Sequence, residues 1–220
     1  TNDQENEKEY IPTRYKKWKH LFRFHSWMPF YADIEEIKSD PLTVRPGFTL
    51  FSQNQLSTLT TSVGYEYSDK LHKFHSKIKW EGWYPVYETG FNYGHNPGVF
   101  KTETGNPDPS AVSPGINFTN TLLLPLRFSS GKFHQFLQPS VSSVYNNNYI
   151  YVKKDSQYDY GQHQMAGRIY FYNAHNSSMR DIYPRLAQVV DLNVSLYPWD
   201  KDFYGPSMSL QTAFFFPGFL

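Results

Sequence analysis

Residues 59–83 read LTTSVGYEYSDKLHKFHSKIKWEGW, and the alternation in this stretch decides the fold. Hydrophobic and polar side chains alternate on both sides of a polar break at residues 68–70. Because successive side chains of a strand point to opposite faces, each half predicts a two-faced β-strand, and the pair predicts a hairpin. One face would carry Phe74 and Trp80, and the other Lys77. A barrel with lipid outside and water inside has this pattern, and so has a half-buried sheet of a water-soluble protein.

The composition narrows the class of protein. Only 39% of the 220 residues are hydrophobic, whereas 19% are aromatic, with 18 Tyr, 18 Phe and 5 Trp. Amphipathic rings in this number are typical of a membrane barrel, in which they form girdles at both interfaces around a polar lumen. The net charge of +1 gives no support for a nucleic-acid partner. The chain has no cysteine, which excludes a disulfide scaffold and thiolate metal sites.

Alternating segments recur along the chain and predict about ten strands in all. Besides the two arms of the hairpin, the predicted strands are 17–29, 48–52, 85–93, 116–128, 133–145, 161–172, 186–197 and 208–216. No segment has convincing helical spacing, so the prediction is an all-β, antiparallel chain. The sequence contains no run of about 18 apolar residues, so a closed barrel is the remaining way to span a bilayer.

The domain organisation predicted from the pattern is simple. Residues 1–16 are polar and lack periodicity, which predicts a linker or periplasmic lead-in, with a frayed terminus as the alternative. Residues 17–220 are predicted to form the barrel domain. The chain begins at Thr1 without Met, which predicts either processing or a longer protein.

The lengths of the predicted connections favour an outer-membrane barrel. Counted from a periplasmic N-terminus, the long connections 30–45, 94–115 and 146–157 fall on the outer side, whereas the short turns 53–55, 82–84 and 129–132 fall on the inner side. Within the last long connection, an extension of strand structure over residues 149–152 is the alternative to a loop. Long outer loops and short periplasmic turns are the rule for this class. One short outer turn and one longer inner connection fit less well, but a soluble sandwich has no reason to sort its loops in this way.

Several phrases of the sequence resemble a known family. Residues 15–29, YKKWKHLFRFHSWMP, resemble the opening strand of outer-membrane surface-antigen barrels of the Bacteroidetes, which often follow a TolB-like WD40 propeller. Residues 52–58, SQNQLST, resemble the first inner turn of that family, and residues 167–172 with 180–185 resemble its mid-barrel segment. The wider group includes BamA- and TamA-like barrels. The resemblance therefore implies a non-enzymatic protein of the bacterial outer membrane that assists the assembly or translocation of proteins or lipids.

The chain departs from that family in strand number. Such barrels usually have sixteen strands, and the chain ends FFFPGFL without a closing strand that stops on an aromatic residue. The prediction is therefore the N-terminal part of a larger barrel, with the lipid bilayer and either the rest of the barrel or other chains as partners. Two alternatives remain open. One is a passive pore or a barrel subunit of a secretion or uptake complex, and the other is a soluble carbohydrate-binding β-sandwich.

Candidate functional side chains fall into three groups. The residues predicted to face the lumen are Lys77, Lys79, Glu81, Arg127 and Asp191. The residues predicted to line a conduit or hold a neighbouring loop, with a local salt bridge as the alternative, are Arg180, Asp181 and Arg185. The predicted anchors at the membrane interface are Trp18, Trp27, Trp80, Trp83, Tyr84 and Trp199.

Catalytic and metal chemistry find little support in the sequence. His20, His25, His72 and His75 are present, but there is no HExxH motif and no carboxylate at ligand spacing. Serine and histidine are plentiful, yet no GxSxG or other anchored triad occurs. We therefore predict no enzymatic activity, no metal and no cofactor.

Overall fold

The computed structural model describes residues 21–32, 44–95, 98–99, 114–152, 158–175, 186–199 and 205–216. Within these ranges the chain forms twelve strands and no helix. The strands are β1 (Phe24–Met28), β2 (Gly47–Gln53), β3 (Leu59–Ser68), β4 (Leu71–Trp80), β5 (Val86–His95), β6 (Gly98–Val99), β7 (Gly115–Leu123), β8 (Leu126–Ser130), β9 (Phe133–Val152), β10 (Tyr158–His175), β11 (Ala187–Leu196) and β12 (Ser207–Phe215). The described part of the chain thus has no helix able to cross a membrane.

All twelve strands belong to one sheet. Its order is β1-β2-β3-β4-β5-β7-β9-β10-β11-β12, with the short β6 and β8 also paired with β9. The neighbours are antiparallel, except that β6 runs parallel to β9. The prediction of an all-β, antiparallel chain is confirmed. In the described residues β1 and β12 end the sheet without pairing with each other, so the sheet is open.

The hairpin of β9 and β10 is longer than the sequence pattern predicts. The predicted loop begins at residue 146, but β9 continues to Val152 and pairs with β10 from Tyr158 onward. The asparagines at 146–148 favour a turn, yet the aromatic and β-branched run that follows them has high strand propensity and extends the ladder. Placing residues 146–148 in a loop was therefore wrong, whereas the alternative that residues 149–152 extend strand structure is confirmed.

The predicted strand 116–128 is divided into β7 and β8. Leu124 and Pro125 interrupt it, because proline has no N–H to donate to the ladder. The Leu124 N–H still donates to the Pro139 carbonyl at 3.0 Å, and both strands pair with β9 in one register. The interruption therefore leaves the alternation of the two faces unchanged.

The sheet has one polar and one apolar face. On the apolar face, large side chains remain exposed, including Phe74, Phe91, Phe118, Leu122, Val141, Ile169 and Leu210. Among the described residues only six hydrophobic side chains are buried. In the described strands, large apolar side chains thus form an exposed surface instead of filling a closed core, and a surface of this kind marks contact with another apolar phase or partner.

The turn between β3 and β4 generates a stability prediction. Asp69 and Lys70 both have positive φ, +54° and +63°, as a two-residue type I′ hairpin turn requires. A side chain in this left-handed region costs about 1 kcal/mol, which glycine avoids. We expect Lys70→Gly to raise the free energy of unfolding by up to about 1 kcal/mol in a urea titration. The matched change Lys132→Gly, in a turn where the lysine lacks positive φ, should give no gain.

Candidate functional site

The polar face of the first half of the sheet lines a partly open cavity of about 780 Å³. Cross-strand register places its lining residues in rows. Ser62 of β3 lies opposite Lys77 of β4, which lies opposite Gly90 of β5, which lies opposite Thr119 of β7. A second row holds Thr60, Lys79, Glu88 and Thr121. These two rows contribute hydroxyl groups, ammonium groups and one carboxylate to the cavity wall.

A buried carboxylate lies at one end of this face. Glu66 is 0% exposed. Arg45 Nη1 donates to its two oxygens at 3.2 and 3.0 Å, and the Ser68 hydroxyl donates to Oε1 at 2.9 Å. The Lys73 ammonium lies 3.4 Å from Oε1. Removing an ionised carboxylate from water is costly unless it is paired and hydrogen-bonded, and these contacts meet that requirement.

The neighbouring strands explain why Glu66 can be buried. On one side β3 pairs it with Lys73 of β4, and on the other side with Gly47 of β2. Gly47 has no room for a side chain, because an added Cβ would lie 1.9 Å from the Tyr65 carbonyl oxygen. Lys73 also contacts Asp69 at 3.1 Å, so its ammonium is shared between two carboxylates.

The described ends of the segment between β1 and β2, residues 29–32 and 44–46, lie against the polar face. Tyr31 and Arg45 form a backbone bridge with hydrogen bonds of 2.9 and 3.0 Å. The Tyr31 ring stacks on His75 at a centroid distance of 4.3 Å. It occupies the space above Gly64, where an added Cβ would lie 2.4 Å from the ring. Thr49 fixes the same segment, since its hydroxyl donates to the Phe30 carbonyl at 3.1 Å. The first end of this connection is thus held in the cavity wall by Tyr31, and the second end is held at Glu66 by Arg45.

Three of the predicted lumen residues share the polar face. Lys77 and Lys79 line the cavity, and Asp191 lies on the same face of β11, as the register through β9 and β10 shows. Asp191 accepts two hydrogen bonds from Arg168, from Nε at 2.9 Å and from Nη2 at 2.5 Å. Sequence reasoning missed Arg168, because only the pairing of β10 with β11 brings it to the carboxylate.

The other two residues predicted to face the lumen, Glu81 and Arg127, lie at the margins of the polar face. Glu81 follows β4 and forms an ion pair with Lys79 at 2.8 Å. Arg127 is exposed on β8 and lies opposite Phe136, so its position falls on the polar side of the alternation. That the polar face borders a water-filled lumen stays a prediction.

Four of the six aromatic candidates are exposed, Trp80 is half-buried, and Trp18 lies outside the described residues. Trp27, Trp83 and Trp199 are 68%, 67% and 68% exposed, and Tyr84 is 65% exposed. Trp80 and Trp83 contact each other with ring centroids 4.5 Å apart. The prediction for Trp18 lies outside the described residues, and so do those for residues 1–16 and for Arg180, Asp181 and Arg185.

The described residues contain no group of three or more His, Cys, Asp or Glu side chains that could hold a metal ion. Comparison of the chain with protein-family models, with curated proteins and with solved structures finds no match. The function is therefore inferred from the geometry of the two faces.

The Glu66 cluster generates the second prediction. In Glu66→Gln, the charge that balances Arg45 and Lys73 is removed inside the protein, and we expect the free energy of unfolding to fall by about 3 kcal/mol. Glu81→Gln is the control, because its ion pair with Lys79 is exposed and contributes at most about 1 kcal/mol. Equal effects of the two changes in denaturant titrations would show that the cluster is not a stabilising centre.

Proposed function

We propose that the chain is part of an outer-membrane β-barrel of the BamA-like surface-antigen type, which assists the assembly or translocation of proteins or lipids without enzymatic chemistry. Its apolar face contacts lipid, and its polar face lines the lumen. The proposal places the protein in the bacterial outer membrane, with the bilayer and further barrel strands as its partners.

The exposed apolar face is the observation that carries the proposal. Large hydrophobic side chains are exposed on successive neighbouring strands, such as Phe91 of β5 at 39%, Phe118 of β7 at 42% and Val141 of β9 at 65%. In water this continuous surface would be a site of aggregation or docking. Surrounded by lipid, the same surface is the ordinary outer wall of a barrel.

Aromatic side chains at both ends of the apolar face support a membrane location. On the hairpin of β3 and β4, the rings of Tyr65 and Tyr67 contact His72 near one end, and the Trp80–Trp83 pair lies near the other. From His72 to Trp80 the strand advances by eight residue steps, which span roughly 26 Å. A tilt of about 40° reduces this to roughly 20 Å, comparable with the apolar band of about 25 Å between the girdles of such barrels.

The sheet order supports a barrel larger than the described part. An unpaired N–H or carbonyl in lipid costs several kcal/mol, so the outer edges of β1 and β12 require partner strands there. Further strands of the same barrel would meet this need. The seam where the sheet closes, together with the lumen, is the place where a protein of this type would act on its clients.

The two alternative functions, a carbohydrate-binding sandwich and a passive pore, require different arrangements of the sheet. A carbohydrate-binding sandwich buries the apolar face of one sheet against a second sheet, and the described strands all belong to one sheet. A passive pore shares the lipid-facing surface and the polar lumen, but it requires only a closed barrel. Channel conductance without any effect on client assembly would favour the pore.

Fractionation of the native protein tests the membrane location. We expect extraction only by detergent, and slower or faster gel migration after boiling, because a folded barrel resists detergent until it is heated. Recovery in the soluble fraction with unchanged migration would contradict both membrane functions.

A matched pair of arginine substitutions on β9 tests which face contacts lipid. Val141 lies on the apolar face, and the next residue, Ser142, lies on the polar face. In lipid, we expect Val141→Arg to lower the free energy of unfolding by about 2–4 kcal/mol near mid-depth, with little effect of Ser142→Arg. In a water-soluble protein, arginine at the exposed position 141 would stay within about 0.5 kcal/mol of the wild type. Urea titration of the protein in lipid vesicles measures the difference.

A further inference from the structure

The cavity on the polar face contains an aromatic ring that the alternation of the strand does not explain. Phe51 of β2 lies opposite Ser62 of β3, so its side chain is on the polar face, and it lines the cavity. The residue is half-buried, and its ring contacts no other aromatic ring in the described part of the chain. One face of the ring is therefore able to contact an occupant of the cavity.

The same wall contains a glycine that the backbone does not require. Gly90 lies inside β5, and its φ is not in the left-handed region that favours glycine. A Cβ added there would meet only Thr119 Cβ, at the ordinary contact distance of 3.9 Å. An interior glycine weakens a strand and often marks a place where another group approaches the backbone closely.

The side chains beside Phe51 offer hydrogen bonds from neutral groups. Gln53 lies two residues further along β2, opposite Thr60 of β3, and both line the cavity. The side chains of Gln53, Thr60 and Ser62 make no hydrogen bond to another described residue. An amide and two hydroxyls supply both donors and acceptors. We call Phe51, Gln53, Thr60 and Ser62 the Phe51 subsite.

The side chains beside Gly90 have similar chemistry. The Thr119 hydroxyl donates to Asn117 Oδ1 at 3.2 Å, which leaves its oxygen able to accept a hydrogen bond. The Thr121 side chain makes no hydrogen bond to any residue that the structure describes. We call Gly90, Thr119 and Thr121 the Gly90 subsite.

The charged groups between the two subsites are already engaged. Lys79 lies 2.8 Å from Glu81 and 3.7 Å from Glu88, and Lys77 also has an interaction partner. A ligand is therefore recognised by the neutral groups of the wall. Hydroxyls and an amide that surround one aromatic ring and a bare stretch of backbone suit a sugar. Its hydroxyls form hydrogen bonds, and the C–H groups on its flat side contact the negative face of the aromatic ring.

The spacing of the two subsites indicates how long the sugar is. Phe51 and Gly90 lie in one row across the sheet, three strands apart, which corresponds to roughly 14 Å. A single sugar ring is too short to contact both, whereas a chain of three is long enough. The volume of about 780 Å³ is within the range of roughly 300 to 1,000 Å³ that ligand cavities have.

We infer that the cavity binds a neutral oligosaccharide, with one sugar ring against Phe51 and another over the bare backbone of Gly90. The site is on the polar face alone. It presents the same groups whether the opposite face of the sheet contacts lipid or water.

Titration calorimetry on the full chain tests the site, in buffer or in a detergent that has no sugar headgroup. The probes are cellotriose, a straight neutral trisaccharide, its monomer glucose, and sorbitol, which has the hydroxyls of glucose but no ring. We expect cellotriose to bind at least about tenfold more tightly than glucose, because only cellotriose contacts both subsites, and sorbitol to bind most weakly. Absence of cellotriose binding, or equal binding of cellotriose and sorbitol, would overturn the proposal.

Two substitutions distinguish the subsites. Gly90→Val fills the space over the backbone, so cellotriose affinity should fall about tenfold, to that of glucose, while glucose affinity stays unchanged. Phe51→Leu removes the ring but keeps an apolar side chain, so both sugars should bind about three- to tenfold more weakly. The matched controls on the apolar face are Gly167→Val, where nothing lies within 4 Å of an added Cβ, and Phe48→Leu, and both should bind normally.

Stability measurements separate loss of the site from loss of the fold. Valine favours strands more than glycine does, so Gly90→Val should be at least as stable as the wild type in urea. Ser62→Ala removes a hydroxyl that has no partner among the described residues, so its urea midpoint should be unchanged. Its affinity for cellotriose should nevertheless fall about three- to tenfold. Wild-type cellotriose affinity in Gly90→Val, or in both Phe51→Leu and Ser62→Ala, would refute the assignment.

Discussion

The register of the antiparallel ladder is the constraint on which the rest of the structure depends. From β2 to β12 it aligns polar rows on one face and apolar rows on the other. Since side chains alternate with period two, a slip of one residue in β4 would move Lys77 and Lys79 among the apolar side chains and bring Phe74 to the polar face. Irregularities are confined to places near strand ends, at residues 24–26, 93–95 and 160–162, where they leave the central rows intact.

The buried Glu66 depends on this register more than any other group does. A charged cluster of this kind contributes little net stability compared with a well-packed apolar one, but it strongly penalises arrangements that separate its members. Only one pairing of β2, β3 and β4 places a glycine on one side of Glu66 and Lys73 on the other. The cluster therefore selects one register for these strands, and Arg45 extends this selection to the segment that precedes β2.

Features that depend on the pattern within one segment could be predicted from the sequence. Contacts that depend on which strands pair with each other could not. The strands and their two faces follow from alternation within each segment, so the placement of Lys77 and Lys79 on one face needed no partner strand. The contacts of Arg45 with Glu66 and of Arg168 with Asp191 join residues 21 and 23 positions apart, and each depends on how separate elements meet. The contact between the Tyr31 ring and Gly64 could not be predicted either. Neither residue indicates by itself that the ring fills the space above the glycine. At residues 146–148, local turn propensity gave the wrong answer because a strong strand run follows the asparagines.

The order of the strands has a consequence for how the chain folds. Apart from the short β6 and β8, every strand neighbours in space the strand that is next to it in sequence. The hairpin turns at residues 69–70 and 131–132 close very small loops, so the entropy lost in forming each hairpin is low. Most ladders therefore join strands that are consecutive in the chain, in contrast to Greek-key sandwiches, whose distant strands must meet first. The sheet can therefore grow by the addition of one hairpin after another, with each completed ladder serving as the template for the next strand.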